Sequence, residues 1–382
     1  MKTKNPLVAA LLSIVLPGAG LLYTGAAALG YLFILISIGL ALSPHWVANS
    51  YSTIYLVGVI YLIWLATSAV LAAIRAKKSN SRGEISSNPW VILIVALVVD
   101  FGTYTWVTKP DFGPLKIVTM TNNSLSPLLY NREQLVVNTK VEIERGDLVG
   151  VYYPKPFFDL SVDVDRVIGY PGEVIELKNN LCYVNGNLTE PYENLRYTIT
   201  ISVATGTDID FEFWNKYGLD GVGPRPGGYI ITSTEATAEQ IVNENDWALG
   251  YNIRQADSAV SNPRLFTGAI PSWNENQLGP ITIPSAGMTI PLDSANRILY
   301  KRTLLLEDSN IIWTDTAIIR NGQPIEEYTF KEDSFWLMAD NRDNGFDSRL
   351  WGFVPESFLI GKAMYIWEGF EDERRGASLQ LD

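Results

Sequence analysis

Two residue types that often carry chemistry are almost missing from this chain. Among 382 residues there is one cysteine, Cys182, and one histidine, His45. A single cysteine excludes an intrachain disulfide. Because His45 lies between two apolar segments, a Ser-His-Asp triad is excluded from the remainder of the chain. Metal sites built on histidine and cysteine are nearly excluded as well. We therefore expect neither a metal nor a cofactor.

Basic residues are also scarce. The chain has 29 Lys and Arg against 41 Asp and Glu, a formal net charge of −12. Such a balance argues against nucleic-acid binding. The length is more than one small domain needs, and it suits a membrane part followed by one or two soluble parts.

Long apolar runs fill the first quarter of the chain. They cover residues 7–43, 53–74 and 89–107. A spanning helix needs about 20 apolar residues, so the first run is tight for two spans and long for one. None of the runs has the length and flanks of a cleaved signal peptide. We expect a membrane domain over residues 1–108.

The basic residues predict how these segments are oriented. Lys2 and Lys4 precede the first run and four basic residues lie within 75–82, whereas 44–52 has none. Because cytoplasmic loops are enriched in Lys and Arg, both basic stretches should be cytoplasmic and 44–52 outside. This requires an odd number of crossings in the first run.

We therefore predict that 7–22 is an interfacial or re-entrant segment and 26–43 a span. Two crossings within the first run remain an alternative that would violate one charge signal. With the odd count, the helix at 89–107 runs outward. The protein is then a multi-pass protein of the cytoplasmic (inner) membrane, and its soluble part lies on the outer, periplasmic face.

The soluble part is predicted to be mainly β. Short alternating or apolar runs, separated by turns, fill 109–189 and 298–368, which we assign to one domain. Residues 190–297 are rich in Asn, Asp, Gly, Pro and aromatics and predict an inserted β-rich lobe, with one helix near 235–248. We predict a strand at 298–306 and a charged, frayed tail at 369–382.

Residues 121–129 (Thr-Asn-Asn-Ser-Leu-Ser-Pro-Leu-Leu) open the soluble part. They read as a strand that runs into a turn, because the residue before a proline avoids helical geometry. A serine held at such a bend, Ser124, can present its hydroxyl to a substrate. By itself, the segment is more typical of an ordinary Ser/Asn-rich turn.

Four segments in order resemble bacterial signal peptidase I. Residues 122–129 are similar to the nucleophile motif, which usually reads Ser-Gly-Ser-Met-x-Pro-Thr-Leu, and 145–149 (Arg-Gly-Asp-Leu-Val) to the next motif. Residues 166–173 (Arg-Val-Ile-Gly-Tyr-Pro-Gly-Glu) match the motif that normally begins Lys-Arg. Residues 340–349 (Asp-Asn-Arg-Asp-Asn-Gly-Phe-Asp-Ser-Arg) match the last and most diagnostic motif. The resemblance covers most of 105–368.

The resemblance implies a membrane-bound serine endopeptidase with a mainly-β fold. Such enzymes remove signal peptides from exported proteins, and the lipid bilayer and those signal peptides would be the partners. It assigns Ser124 as nucleophile and places the oxyanion hole at Ser124 and Asn122. The general base of the family is a lysine, which must be buried to act near neutral pH.

At the position of that lysine this chain has Asp165. An exposed aspartate, with a pKa near ~3.9, is a weak base toward a serine hydroxyl. Burial could raise the pKa, but would then favour the neutral acid. Lys301 precedes Arg302 in the domain's one Lys-Arg pair and is a further candidate for the base.

Other departures surround the same site. Asn122 replaces the usual serine, although its amide could still donate to an oxyanion. Gly345 replaces a serine that helps to position the lysine, and Ala339 replaces a glycine. The scaffold residues remain, and we predict that they form a buried ion-pair network supporting the site: Arg166, Asp340, Arg342, Asp347 and Arg349.

Two hypotheses therefore stay open. The chain is either an active endopeptidase with an unusual base or a catalytically inactive homologue. The inactive homologue would bind extended exported chains by strand addition, or a partner peptidase. A third, weaker hypothesis treats the inserted lobe as a separate binding module.

Overall fold

The computed structural model describes residues 4–43, 51–78, 89–97 (except 91 and 95), 115–153, 161–189 and 192–379 (except 193, 218, 220, 258, 269, 315 and 370). The chain forms two compact units. One comprises residues 1–116 with 376–378, and the other 117–375 with 379–382. The predicted boundary near 108 thus lies close to the division between the units.

The first unit is helical. Its helices are α1 (Pro6–Val15), α2 (Ala19–Tyr23), α3 (Ala27–Leu42) and α4 (Tyr51–Lys78). Helix α1 begins where a sequence-based rule would start it. Pro6 occupies the first turn, and the Asn5 side chain accepts a hydrogen bond from the Leu7 backbone N–H. This arrangement satisfies an amide that the helix itself cannot pair.

The predicted interfacial or re-entrant segment is not one continuous helix. Gly18, between α1 and α2, has φ +102°, which a glycine adopts without strain. Its N–H donates to Ser68 Oγ of α4 at 2.8 Å. A Cβ atom added to Gly20 would lie 1.9 Å from the Ala9 carbonyl oxygen, so α1 and α2 are in close contact. The glycines therefore allow the chain to fold back within residues 7–22.

Among the described residues, one helix is long and apolar enough to cross a membrane. It is the Leu56–Lys78 part of α4, with 23 residues and mean hydropathy 2.3. Helix α3, the predicted span at 26–43, has 16 residues and falls short of the usual ~20. Most of the predicted span at 89–107 lies outside the described residues.

The second unit is built on a seven-stranded sheet. Its strand order is β1-β2-β20-β3-β4-β18-β19. The strands are β1 (Leu115–Thr119), β2 (Gln134–Asn138), β3 (Leu148–Tyr153), β4 (Ser161–Gly169), β18 (Ser334–Met338), β19 (Val354–Pro355) and β20 (Leu359–Glu368). The predicted mainly-β domain is thereby confirmed. Buried aliphatic side chains such as Leu135, Val164 and Ile366 form a core against this sheet.

A second sheet has the order β12-β5-β6-β7. Its strands are β5 (Val174–Lys178), β6 (Leu181–Val184), β7 (Asn187–Leu188) and β12 (Leu278–Thr282). Two short hairpins connect its strands in sequence: Lys178 faces Leu181, and Val184 faces Asn187. The one cysteine, Cys182, is buried in the core of this region.

Residues 190–297 contain their own four-stranded sheet, ordered β11-β8-β10-β9. The strands are β8 (Tyr197–Val203), β9 (Val222–Arg225), β10 (Gly228–Ser233) and β11 (Ala248–Ile253), with helices α5 (Phe211–Asn215) and α6 (Glu235–Glu244). The helix expected near 235–248 is confirmed. Ile199, Ile231 and Trp214 form a core of this lobe. Strand β12, inside the same range, instead pairs with β5.

The strand predicted at 298–306 is wrong. The chain there forms α7 (Ser294–Leu299) and α8 (Lys301–Glu307). Asp293 caps α7 by accepting hydrogen bonds from the backbone N–H groups of residues 295 and 296. Tyr300 and Leu304 are buried four residues apart, which is the spacing of one helix face. The capping aspartate was the signal that strand patterning overlooked.

Short strands complete the unit: β13 (Thr289–Pro291), β14 (Ile311–Trp313), β15 (Ile318–Arg320), β16 (Gln323–Ile325) and β17 (Glu327–Thr329). Strands β13 and β17 pair with each other, and β15 lies between β14 and β16. Asn321 and Gly322 join β15 to β16 with φ values of 52° and 79°. These are the positive values that an Asn-Gly hairpin turn requires. The last helix, α9 (Ser348–Trp351), follows the final motif.

The tail is not frayed as predicted. Residues Asp372–Arg374 form a 3-10 helix, and the N–H of Leu379 donates to the Met364 carbonyl of β20. Arg374 donates to buried Glu133 at 2.6 Å and to the carbonyl of Leu128 at 2.7 Å. The charged composition of the tail predicted an exposed end, but the ion pair between Arg374 and the buried Glu133 holds the tail against the domain.

We expect Arg374→Met to lower the free energy of unfolding by about 1–3 kcal/mol, because Glu133 would be left buried without its cation. Urea unfolding of the full chain in neutral detergent, followed by tryptophan fluorescence, would measure this. Arg254→Met is the matched control, since Arg254 is exposed and makes no side-chain hydrogen bond or ion pair within the described residues. Equal midpoints for the two variants would contradict the prediction.

Candidate active site

Ser124 lies in the turn that follows β1 and Met120. Leu125 and Leu129 anchor this turn in the core, where both are fully buried. The Ser124 carbonyl accepts a hydrogen bond from the Asn341 N–H at 2.8 Å. The serine is itself 1% exposed, and its Oγ has no hydrogen-bond partner in the described part of the chain. Most buried hydroxyl groups in proteins have a hydrogen-bond partner, so this one is a candidate for a functional role.

Asn122 connects the serine to a neighbouring carboxylate. Its Oδ1 accepts a hydrogen bond from the Ser124 N–H at 2.7 Å, and its Nδ2 donates to Asp163 Oδ2. The two groups predicted as oxyanion donors are therefore both engaged in this structure. A substrate oxyanion could use them only after the Asn122 side chain turns away.

Two aspartates lie on one face of β4. Asp163 and Asp165 are two residues apart, and side chains at that spacing point to the same side of a strand. Both are buried. Tyr153, on the neighbouring strand β3, donates its hydroxyl to Asp165 Oδ2. The other oxygen, Oδ1 of Asp165, has no hydrogen-bond partner among the described residues.

The environment favours the protonated forms of these carboxyls. Burial raises the pKa of Asp165 well above the usual value, and the negative charges of Asp163 and Asp347 raise it further. Burial also raises the pKa of Asp163 to about 6, despite the hydrogen bonds from Val164 and Asn122 that lower it. Both carboxyls are therefore protonated at a higher pH than an exposed aspartate.

The described lysines lie elsewhere. Since Ser124 Oγ has no partner within the described residues, no lysine described there is hydrogen-bonded to it. Lys301, the alternative candidate, lies over the ring of Trp313 with its ammonium 5.4 Å from the centroid. Lys362 pairs with Asp147 at 2.8 Å. Lys178, Lys216 and Lys331 pair with Glu176, Glu244 and Asp308.

The residues of the last motif form two buried ion pairs. Arg166 donates to Asp340 at 2.8 Å, and Arg349 to Asp347 at 2.7 Å. Burial alone would raise the pKa of Asp347, but the Arg349 charge and its hydrogen bonds lower it below the usual value. Arg342 does not join an ion pair within the described residues, contrary to the prediction. Its guanidinium instead contacts the sulfur of Met338.

These contacts tie the four motif segments together. Arg166 also donates to the Gly146 carbonyl at 2.6 Å, which links the second and third motifs. Its ion pair with Asp340 links the third motif to the last. The Asn341 N–H then reaches the Ser124 carbonyl. Segments more than 200 residues apart are thus held around one serine.

Two of the departures from the family pattern compensate each other. A Cβ atom added to Gly345 would lie 2.4 Å from the Cβ of Ala339 and 3.0 Å from Asp347 Oδ2. The methyl group of Ala339 therefore takes up the space that a side chain at 345 would need. In the family pattern the larger residue is at the other position: a glycine at 339 leaves space for the side chain of a serine at 345.

Sequence reasoning missed three residues of this site. Tyr153 and Asp163 could have been found, since the period of a strand places Asp163 beside Asp165. Arg196, at the start of the lobe, gave no signal. It is buried and donates to Ser126 Oγ at 3.0 Å, while its backbone pairs with Asp340 and Arg342. The lobe is therefore bonded directly to the serine-bearing turn.

Comparisons with known proteins agree with this architecture. The family model described as "Signal peptidase, peptidase S26" matches residues 87–218 and 280–368. Signal peptidase I S of Bacillus subtilis is 39% identical over 126 residues, which is 30% of this chain and 60% of that protein. Signal peptidase I of Leptolyngbya laminosa is 30% identical over 119 residues, covering 27% and 59%. Signal peptidase I of Haemophilus influenzae is 44% identical over 54 residues, covering 14% and 16%.

The chain thus matches less than two thirds of the length of each of these relatives. The family model nevertheless covers more than half of this chain, in two blocks separated by most of the lobe. It includes all four motif segments that the structure brings together around Ser124. This chain belongs to the signal peptidase family, peptidase S26.

Proposed function

We propose that the protein is a membrane-anchored serine endopeptidase that removes signal peptides, with Ser124 as nucleophile and Asp165 as proton acceptor. One observation supports this most strongly: the Ser124 hydroxyl and one Asp165 oxygen are both buried and unpartnered within the described site. Most buried polar groups in native structures are hydrogen-bonded, and a catalytic role is one explanation for a buried group that is not.

A carboxylate can serve as base only if its environment strengthens it. A general base works best when its pKa lies near the working pH, and enzymes raise carboxyl pKa values by burial and by like charges. Both causes act on Asp165. Its raised pKa makes the ionised form a much stronger base than an exposed aspartate, at the cost of a smaller ionised fraction.

Ser124 and Asp165 can together supply the nucleophile and the proton transfers that peptide hydrolysis requires. Neither the Ser124 hydroxyl nor Oδ1 of Asp165 has a hydrogen-bond partner in the described site, so substrate binding must first bring the hydroxyl within reach of the carboxylate. Ser124 Oγ then attacks the carbonyl carbon of the scissile bond while its proton passes to that carboxylate. The resulting carboxylic acid then donates that proton to the leaving amine, which leaves an acyl-enzyme. Water attacks the acyl carbon while Asp165 accepts its proton, and the acid then returns that proton to Ser124 Oγ as the acyl–oxygen bond breaks, which releases the carboxylic acid product and the free enzyme. Tyr153 stabilises the carboxylate through its hydroxyl hydrogen bond.

Substrate binding must also rearrange the turn. Ser124 is 1% exposed, and Asn122 occupies the Ser124 N–H. We propose that an extended substrate displaces the Asn122 side chain and that the freed donors then hold the developing oxyanion. If the Asn122 side chain stays in place when a chain binds, the second candidate function applies, a non-catalytic homologue that binds extended chains.

The helices of the first unit support a proposal about location. Helix α4 has the length and hydropathy of a span, and Arg75, Lys77 and Lys78 lie in its last turn. On the positive-inside rule that end is cytoplasmic. We propose a multi-pass protein of the cytoplasmic membrane whose second unit acts on the outer face.

Cleavage of a signal-peptide substrate by the full chain in neutral detergent tests the proposal. We expect one cut after a small residue, with the new amino terminus identified by mass spectrometry. A substrate whose small residues before the cut are replaced by bulky ones should remain intact. Binding of the substrate without any cut, over the whole pH range in which the chain stays folded, would support the non-catalytic homologue instead.

A further inference from the structure

A cationic cleft lies between α7, α8, β14 and the loop at 266–268. Its volume is about 920 Å³. Three basic side chains line it, Arg297, Lys301 and Arg302, and none of the described lining residues is acidic. This local positive charge contrasts with the net charge of −12 of the whole chain. None of the residues assigned to catalysis lines the cleft.

Two of the three cations lack an ionic partner within the described part of the chain. Neither Arg297 nor Lys301 has a carboxylate within ion-pair distance among the described residues. Arg297 instead donates to the Thr314 carbonyl at 3.0 Å. Burial lowers the pKa of Arg302, whose guanidinium donates to the carbonyls of Leu350 and Trp351. A half-buried cation such as Arg297, whose partner is uncharged, gains from an anionic ligand, because the ligand restores the stabilisation lost with water.

Apolar surface adjoins the charges. The ring of Trp313 lies beneath Arg297 and Lys301, at 5.8 and 5.4 Å from its centroid. Two aliphatic side chains of the lining, Ile298 and Leu305, are 47% and 41% exposed. A small hydrophilic anion bound to the cations would leave these apolar side chains exposed to water.

We infer that the cleft binds an anionic phospholipid, with the phosphate against Lys301 and Arg297 and the first chain carbons against Ile298 and Leu305. The charge selects an anionic head group, and the exposed aliphatic side chains select a ligand that carries a hydrocarbon part. The protein also has a helix able to cross a bilayer, so phospholipid is a ligand it would meet. The inference does not depend on peptidase activity.

Titration calorimetry of the full chain in neutral detergent tests it. The probe is dihexanoylphosphatidylglycerol, used as dispersed molecules, with dihexanoylphosphatidylcholine and inorganic phosphate as parallel arms. We expect saturable binding of the phosphatidylglycerol and weaker binding of the other two. Lys301→Glu should weaken phosphatidylglycerol binding by about tenfold or more, because a favourable charge becomes an unfavourable one.

Lys140→Glu is the matched control, since Lys140 is also exposed but lies outside the cleft. It should bind the lipid as the wild type does, and both variants should unfold at the wild-type temperature. Equal binding of the two phospholipids would overturn the charge recognition. Equal binding of inorganic phosphate would reduce the cleft to a simple anion site, and equal losses in both variants would place the lipid elsewhere.

Discussion

Replacing Ser124 with alanine is expected to lower kcat/KM for signal-peptide cleavage by about 10³-fold or more. The substitution removes the proposed nucleophile, and no other group can form the acyl-enzyme. It should not harm the fold, because the deleted Oγ has no hydrogen-bond partner within the described site. Removing a buried, unpaired hydroxyl is neutral or slightly stabilising.

The measurement pairs cleavage rates with thermal unfolding of the same preparations. Ser202→Ala is the matched control, because Ser202 is an exposed serine of the lobe sheet, away from the serine-bearing turn. It should leave both quantities unchanged. Cleavage by the alanine variant at the wild-type rate would remove Ser124 from the mechanism.

Asp165→Asn is expected to lower kcat/KM by about 10²–10⁴-fold, the usual contribution of a positioned base. Asparagine has nearly the same shape and can still accept the hydrogen bond from Tyr153, but it cannot take a proton from Ser124. Because the base must be ionised, wild-type kcat/KM should rise with pH through the pKa of the carboxyl pair. That rise should lie at a higher pH than an exposed aspartate would give, because burial and the charge of Asp163 raise the pKa of Asp165. The variant should lose this rise.

Although Asp165→Asn should lower activity, it should not lower the free energy of unfolding. The pKa of Asp165 is higher in the folded protein than in the unfolded chain, so the folded state binds the proton more tightly. Its contribution is then fully present below the unfolded pKa of about 4 and is lost as pH rises toward the folded pKa. The asparagine side chain of the variant cannot ionise and escapes that loss. We therefore expect Asp165→Asn to be at least as stable as wild type at pH 7, with an advantage that grows from pH 4 upward.

A lysine at position 165 separates the two candidate functions. If wild type cleaves and Asp165→Asn does not, the carboxylate is needed for the reaction. If wild type is inert and Asp165→Lys cleaves, the chain is a non-catalytic homologue whose scaffold still accepts the family's base. Full activity in Asp165→Asn would disprove the proposed base outright.

The four motif segments were recognisable before folding because each is a local feature. A serine before Ser-Pro, an Arg-Gly-Asp turn, a Pro-Gly turn and the run from Asp340 to Arg349 depend on short-range backbone geometry. Strand pairs closed by Asn-Gly turns were predictable for the same reason. The amino acid at 165 was visible too, and with it the question of the base.

Segments with mixed signals misled the prediction. Residues 298–306 carry the apolar content of a strand, but the Asp293 cap and the buried pair Tyr300 and Leu304 make a helix. The tail has the composition of a frayed end, but Arg374 is held by Glu133, which is 241 residues away in sequence. Composition reports what a segment prefers alone, and a distant partner can outweigh that preference.

The sequence by itself determined the family, the mainly-β class, the unusual carboxyl at 165 and the apolar first unit. Tertiary structure alone decided that Asp163 engages Asn122, that Tyr153 reaches Asp165 and that Arg196 ties the lobe to the serine-bearing turn. It also decided that Ala339 fills the space above Gly345. The reason is physical: motifs and periodicity are local, whereas burial, pKa shifts and ion pairing depend on groups that only folding brings together.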